Sequence, residues 1–268
     1  MEVGSRTYLG LTVPGETASP SIFGNTLLFD ELLADRAVLE RGGVRVEIPY
    51  VHVRLDRARA DGSLGFQIGI PMSEVDLGAL SVRFGADTLT SLNIARVTVA
   101  FLADGSWHPQ TGALAFDELR LSVRGVGDLH LALRISGYTQ EVVRRLNAGE
   151  GLEREMSSLM LHSASLSYGD EGFADRLIEH FAARHDMDAA AFRPMVGMLA
   201  RNALSMMDAP EFKEQLLAVF DAFIAKPGRI TISAEPDKAV PLSAMLEALD
   251  IGPNALRSLL GISVRNGW

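Results

Sequence analysis

The chain contains no cysteine. Disulfides, thiolate nucleophiles, zinc–thiolate sites and iron–sulfur clusters are thereby excluded together, while the redox compartment stays open. Basic charge is also short: 25 Lys and Arg stand against 34 Asp and Glu, a net charge of −9. The deficit is shared, with 16 acidic and 12 basic residues in 1–138 and 18 and 13 in 139–268. Neither half offers nucleic acid a basic face, so no nucleic-acid partner is expected. No apolar run approaches the length of a membrane-crossing helix, so no transmembrane segment is expected in this chain. The opening MEVGSRTYLG has neither a basic n-region nor an apolar h-region. Its Met stands directly before what reads as mid-strand sequence, which favours a chain from which an export signal or anchor has been cut away; the alternative is a cytoplasmic protein. G-x-S-x-G, a Walker loop and G-x-G-x-x-G after a strand are all missing.

What is present is apolar residue in quantity, 47% of 268 residues, enough to bury a large core in one extended domain or two smaller ones. From about residue 44 to 136 apolar residues recur at every second position, the pattern of strands with one buried face. Val44, Val46 and Ile48 share one phase, and Val51, Val53 and Leu55 the other, so a bulge or bend is expected at Pro49. Alternating runs follow at Leu64–Ile70, Leu80–Phe84, Val97–Phe101, Leu119–Val123 and Leu129–Ile135. The turn signals RADGS, ADGSWHPQTG and RGVGD lie among them, which predicts an antiparallel meander.

From about residue 139 the period becomes helical, with strands interposed. TQEVVRRLN predicts a short helix capped by Thr139, and LMLHSASLSYGD a strand. Three longer helices follow, with apolar faces at Phe173, Leu177, Ile178 and Phe181; at Phe192, Met195, Val196, Leu199 and Met206; and at Phe212, Leu216, Phe220 and Phe223. Asp188 is the expected cap of the second, in which Pro194 should mark a kink or the true start. Asp208, with Glu211 and Pro210, reads as the capping box of the third. RITISAEP is a strand, PLSAMLEAL and GPNALRSLLG are short helices, and ISVRNG is a last strand; the two late strands are expected to rejoin the sheet.

Ionisable groups are densest in YGDEGFADRLIEHFAARHD, residues 168–186. Asp170, Glu171 and Asp175 fall at or before a helix start and His180, Arg184 and His185 toward its end, the charge order that suits the macrodipole. His180 and His185 are five apart and diverge around a helix, unlike the i, i+4 pair of H-E-x-x-H. The stretch therefore reads as a capped helix and not a metal or acid/base site, with Phe181 in the core and Arg176, Glu179 and His180 largely exposed. His52, His130 and His162 read as partnered or exposed strand positions. Trp107, beside His108 in GSWHPQTG, reads as folded back over the sheet edge. No catalytic residue, metal ligand or cofactor site is assigned. Met187, Met195, Met198, Met206 and Met207, five of ten methionines, fill a core or line an adaptable apolar cleft.

The segment WHPQTGALAFDELRLSVRGVGDLHLALRISG, residues 107–137, resembles the β-meander of AsmA-like and other bacterial envelope proteins in which curved sheets form apolar grooves. The order SASLSYGDEGFADRLIEHFAARHDMD, FIAKPGRITISAEPDKAVPLSAML and LLGISV, over about residues 160–264, is similar to uncharacterised periplasmic or membrane-anchored proteins of Gram-negative bacteria. The resemblance implies a periplasmic location, or a membrane anchor facing the periplasm. It also implies non-enzymatic work such as handling a lipid or other hydrophobic ligand, or an envelope protein partner. It carries no catalytic motif onto residues of this chain.

The reading is thus an α+β protein: a large curved antiparallel sheet from the N-terminal half, residues 1–138, and a mixed helical and strand region, residues 139–268, packing on it with returning strands, in one continuous domain or two. The expected function is a non-catalytic envelope module holding an apolar ligand or a protein partner in a groove between sheet and helices. The alternatives are a scaffold with a filled core and, third, a hydrolase with an unrecognised site. The expected apolar lining is Phe66, Ile68, Phe84, Val99, Phe101, Met195, Met198 and Leu199, which requires the helix segment 195–207 to lie over the sheet.

Overall fold

Alternation of apolar and polar residues over many short segments dictates strands that bury one face only, and a single sheet results. The computed structural model describes residues 6–8, 30–41, 44–56, 60–77, 86–147, 155–205, 207 and 209–267. The first strands are β1 (Arg6–Tyr8), β2 (Glu31–Arg41), β3 (Val44–Asp56) and β4 (Leu64–Asp76), followed by the short helix α1 (Ala86–Ser91). The meander continues through β5 (Arg96–His108), β6 (Ala113–Val123) and β7 (Gly127–Ser136) to helix α2 (Gln140–Asn147) and strand β8 (Met160–Asp170). Three helices come next, α3 (Phe173–Arg184), α4 (Ala189–Ala203) and α5 (Pro210–Ala225). The chain then forms β9 (Arg229–Ala234), β10 (Val240–Pro241), α6 (Leu242–Ile251), α7 (Pro253–Leu260) and β11 (Ile262–Gly267).

All the described strands belong to one antiparallel sheet, in chain order from β1 to β9 and then β11, with β10 paired to β8 beside β9. The sheet is not closed into a barrel. It crosses residue 138 without interruption, because β8, β9 and β11 extend the meander. Register shifts fall between Ile70 and Ser73 of β4, at Asp104/Gly105, at Phe116/Leu119 and at Arg134/Ile135. Such bulges bend a strand and increase its twist. The first of them faces the region of β3 where Pro49 switches the hydrophobic phase: pairing with β4 is regular from Asp56 to His52 and is met again at Val46 opposite Val75. The β6–β7 turn needs glycine at 127, where φ is +147° and a Cβ would lie 2.1 Å from the Gly169 carbonyl oxygen.

Helix starts follow their local chemistry. Thr139 Oγ1 accepts from the Val142 N–H at 3.4 Å, and Asp188 caps α4 by accepting from the Ala191 N–H at 2.7 Å. Helix α4 runs through Pro194. The N-cap of α5 is Ala209, with no side-chain cap, and Pro210 occupies the first turn; Asp208, expected as the cap, lies outside the described residues. So do Met206 and the run Leu80–Phe84, Phe84 of the expected lining included. Among the described residues no helix is long and apolar enough to cross a membrane.

Two expectations for the helical layer are corrected. Phe181 is not core: it is 43% exposed, and α3 buries Ile178 and Ala182 instead, the latter at 0%. Ala182 and Ile178 are covered by Phe192 of α4, so the buried stripe of α3 lies on them and Phe181 is turned outward. The second correction concerns α4, whose principal packing is against α3 and α5. Its Phe192, Met195 and Val196 join Ile178, Ala182 and Ile224 in a cluster between helices. That stripe is used up there, so Met198 and Leu199 are left exposed.

Candidate functional site

Residues directly opposite one another in a ladder share a face, so the strand register assigns side chains to the two faces of the sheet. Val53, Ile68, Ala103 and Leu119 are successive partners across β3 to β6. The same row continues through Leu131, Leu166, Ile232 and Val264 across β7 to β11. Beside it run Ile70, Phe101, Leu121, Leu129, Tyr168 and Ile230 on one flank. Phe66, Gly105, Phe116, Leu133, Ala164 and Ala234 form the other. At about 4.8 Å per strand the central row extends for about 34 Å.

The opposite face is polar. His52, Gly69, Leu102 and Arg120 are successive partners there, followed by His130, Ser167, Thr231 and Arg265. His130 Nε2 lies 3.1 Å from Asp128 Oδ2, which also accepts from Arg229 at 3.0 Å. Ser167 and Thr231 share a hydrogen bond of 2.8 Å.

The helices gather on the apolar face, at its two ends. At the end holding the β5–β6 hairpin, Val143 of α2 packs with Phe66, Trp107 and Leu114. Trp107 is folded inward as expected, its indole N–H donating to the Tyr138 carbonyl at 2.6 Å. Beside this cluster, α6 and α7 cover Leu133, Ile135, Leu161 and Ala164. At the other end, Phe223 of α5 meets the Tyr168 ring with centroids 6.3 Å apart. Along β11, Gln215 of α5 donates to the Val264 carbonyl at 2.8 Å and Asn266 to the Val219 carbonyl at 3.0 Å. Between these groups the sheet is bare: Leu129, Leu166 and Ile232, neighbours on β7, β8 and β9, are 36%, 39% and 43% exposed. Val264, at the β11 end of the row, is 4% exposed; at the other end the row continues from Val53, also 4% exposed, to the half-buried Leu32 of β2. The result is an apolar trough with a sheet floor and helical ends.

The expected lining divides. Phe66, Ile68, Val99 and Phe101 do share this face, with Phe66 buried in the α2 cluster. Met195 belongs to the cluster between α3, α4 and α5, and Met198 and Leu199 are exposed on α4, so the structure does not join them to the strand residues in one lining. The bare residues Leu129, Leu166 and Ile232 were missed, although their alternation was plain, because sequence does not show which part of a sheet face the helices leave uncovered.

The dense acidic stretch is a capped helix. Asp170 accepts from the Gly172 and Ala174 N–H groups at 2.7 and 2.9 Å and from the Tyr168 hydroxyl at 2.9 Å. Glu171 accepts from the Gly125 N–H, and Asp175 pairs with Arg193 at 2.5 Å. Burial, then the hydrogen bond to Asp170, pushes the Tyr168 phenol well above its ordinary range, so it stays neutral. His180, expected to be exposed, is half-buried: its Nδ1 lies 2.9 Å from Ser91 Oγ and its Nε2 is buried without a partner. That pair has no carboxylate on the second nitrogen to orient the ring, and Ser91 closes the C-terminal end of α1, where helix carbonyls oppose a developing oxyanion. His162 Nε2 and Ser136 Oγ, 2.8 Å apart, form the other Ser–His contact, on exposed side chains. Among the described residues no group of three or more His, Asp or Glu is placed to hold a metal ion.

A family model described as "Uncharacterized protein" matches residues 120–267, more than half of the chain, a span that contains all three bare trough residues. No curated protein matches.

Proposed function

We propose, for a chain that belongs to the family matched over residues 120–267, a non-catalytic role: it holds an apolar, lipid-like ligand against the bare floor of the trough. The observation that carries this is the exposure of Leu166 and Ile232 on the central apolar row, with Leu129 beside them on the flanking row. Contiguous apolar surface on a folded protein is costly in water, and covering it with a ligand's apolar chain removes that cost. An acyl chain is about half the hydrocarbon thickness of a bilayer, about 15 Å, and fits within the row. The likeness of residues 107–137 to the AsmA-like meander extends the reading to work at the cell envelope.

Native mass spectrometry on protein purified without detergent tests it. Adducts of lipid mass that leave on gentle organic extraction and return when lipid is added back support the reading. A chain that flies bare and takes up no acyl compound after extraction favours the scaffold alternative.

A further inference from the structure

Resting on the trough as the ligand site, we infer that it selects a linear acyl chain with an uncharged head, such as a monoacylglycerol, over an ionised fatty acid. From Val53 to Val264 the central row is about 34 Å long and an acyl chain about 15 Å; Val264 is buried at the β11 end, and past Val53 the row continues to another apolar residue, Leu32 of β2. A chain lying on Leu131, Leu166 and Ile232 therefore keeps its head over the same apolar face instead of delivering it to a charged rim. The charge available there is what decides the head group. Across the three rows from β4 to β9 the one ionisable side chain is Tyr168, whose hydroxyl already donates to the Val126 carbonyl at 2.8 Å and to Asp170.

Five nearby arginines are directed elsewhere. Arg120, Arg229 and Arg265 lie on the opposite face by register. Arg176 on α3 bonds the Gly125 carbonyl, and Arg257 on α7 is turned onto the Phe212 ring, 4.8 Å from its centroid. The acids Asp170 and Glu171 stand at the α3 end, and the whole chain carries −9. A carboxylate placed on this floor would lose water with no cation to replace it and would meet a negative field. A glycerol or alcohol head loses less on entry and is not repelled.

The test is a titration of extracted protein with monopalmitoylglycerol and with palmitate, at about pH 8 where the acid is ionised, each below its micelle concentration. Wild type and Leu166→Asn are run in parallel. The inference predicts that the neutral ligand binds wild type at least about tenfold more tightly, equivalent to about 1.4 kcal/mol, and that Leu166→Asn weakens it. If palmitate binds as tightly or more tightly, and Leu166→Asn weakens both, the head-group selection is overturned while the trough stands as the site. If neither compound binds, or the variant binds both as well as wild type does, the trough reading falls and takes the selection with it.

Discussion

Replacing Leu166 with Asn should empty the trough while leaving the fold in place. Leu129, Leu166 and Ile232 together leave open slightly more than the area of one side chain. Fully burying a Leu or Ile contributes about 1.5–3 kcal/mol, so covering this strip gives a ligand about 2–3 kcal/mol, of which about a third comes from Leu166. The Asn amide adds a desolvation cost of about 1–3 kcal/mol when an acyl chain lies over it. Binding should weaken by about 2–3 kcal/mol, roughly 30- to 150-fold. Stability should fall less, by about 1–2 kcal/mol, because only the covered part of the side chain is lost. Leu161→Ala on the same strand, in the filled cluster under α6 and α7, should cost about 2–5 kcal/mol. Urea denaturation monitored by circular dichroism gives the stabilities, and titration with a fluorescent acyl probe gives the affinities. Equal destabilisation by the two variants, with probe uptake unchanged in Leu166→Asn, would refute the reasoning and show a core where a trough is claimed.

Phe181→Ala should cost about 1–2 kcal/mol, the share of the ring that is covered, below the about 3–5 kcal/mol of a fully buried Phe, and Ala182→Leu, fully buried between α3 and α4, about 1–3 kcal/mol by overpacking; thermal melts of both variants check this. Gly169→Ala should break the ion pair between Asp128 and Arg229, since its Cβ would lie 2.9 Å from an atom of each; a loss of about 1–3 kcal/mol is expected, and a neutral result would show that the pair shifts freely. Because the folded state raises the Tyr168 pKa, its contribution is fully present below the ordinary tyrosine value near about 10 and is lost as pH rises above it. Unfolding free energy measured upward from about pH 9 should decline more steeply in wild type than in Tyr168→Phe; parallel curves would contradict this.

The meander was legible because period-2 alternation is imposed by one-sided burial; the register that sets Leu119 opposite Leu131 and Leu121 opposite Leu129 was not, since alternation fixes faces and not partners. The helices were legible from their stripes and, for α4, from the Asp188 cap. What was not legible is which stripe meets which partner. Phe181 and Leu199 carry as much hydrophobicity as Ile178 and Phe192, and it is the second pair that meets around Ala182 in the cluster between helices. For the same reason sequence alone places the groove beneath α4. Its walls are instead α2, α5, α6 and α7, elements whose pairing with the sheet depends on contacts across long stretches of chain, such as Asn266 to Val219 and Tyr168 to Phe223. Local period constrains faces; tertiary contact selects among them.

Methyl NMR on protein labelled at Leu and Ile methyl groups, with monopalmitoylglycerol added to extracted protein, asks directly whether the bare floor between the helical ends is a ligand site. Saturable shifts are expected at Leu129, Leu166 and Ile232, with Leu161 under α6 and Ile178 between α3 and α4 unmoved. Saturable shifts at Leu161 or Ile178 with the three floor residues unchanged, or a spectrum that does not respond at all, would contradict a ligand site on the floor.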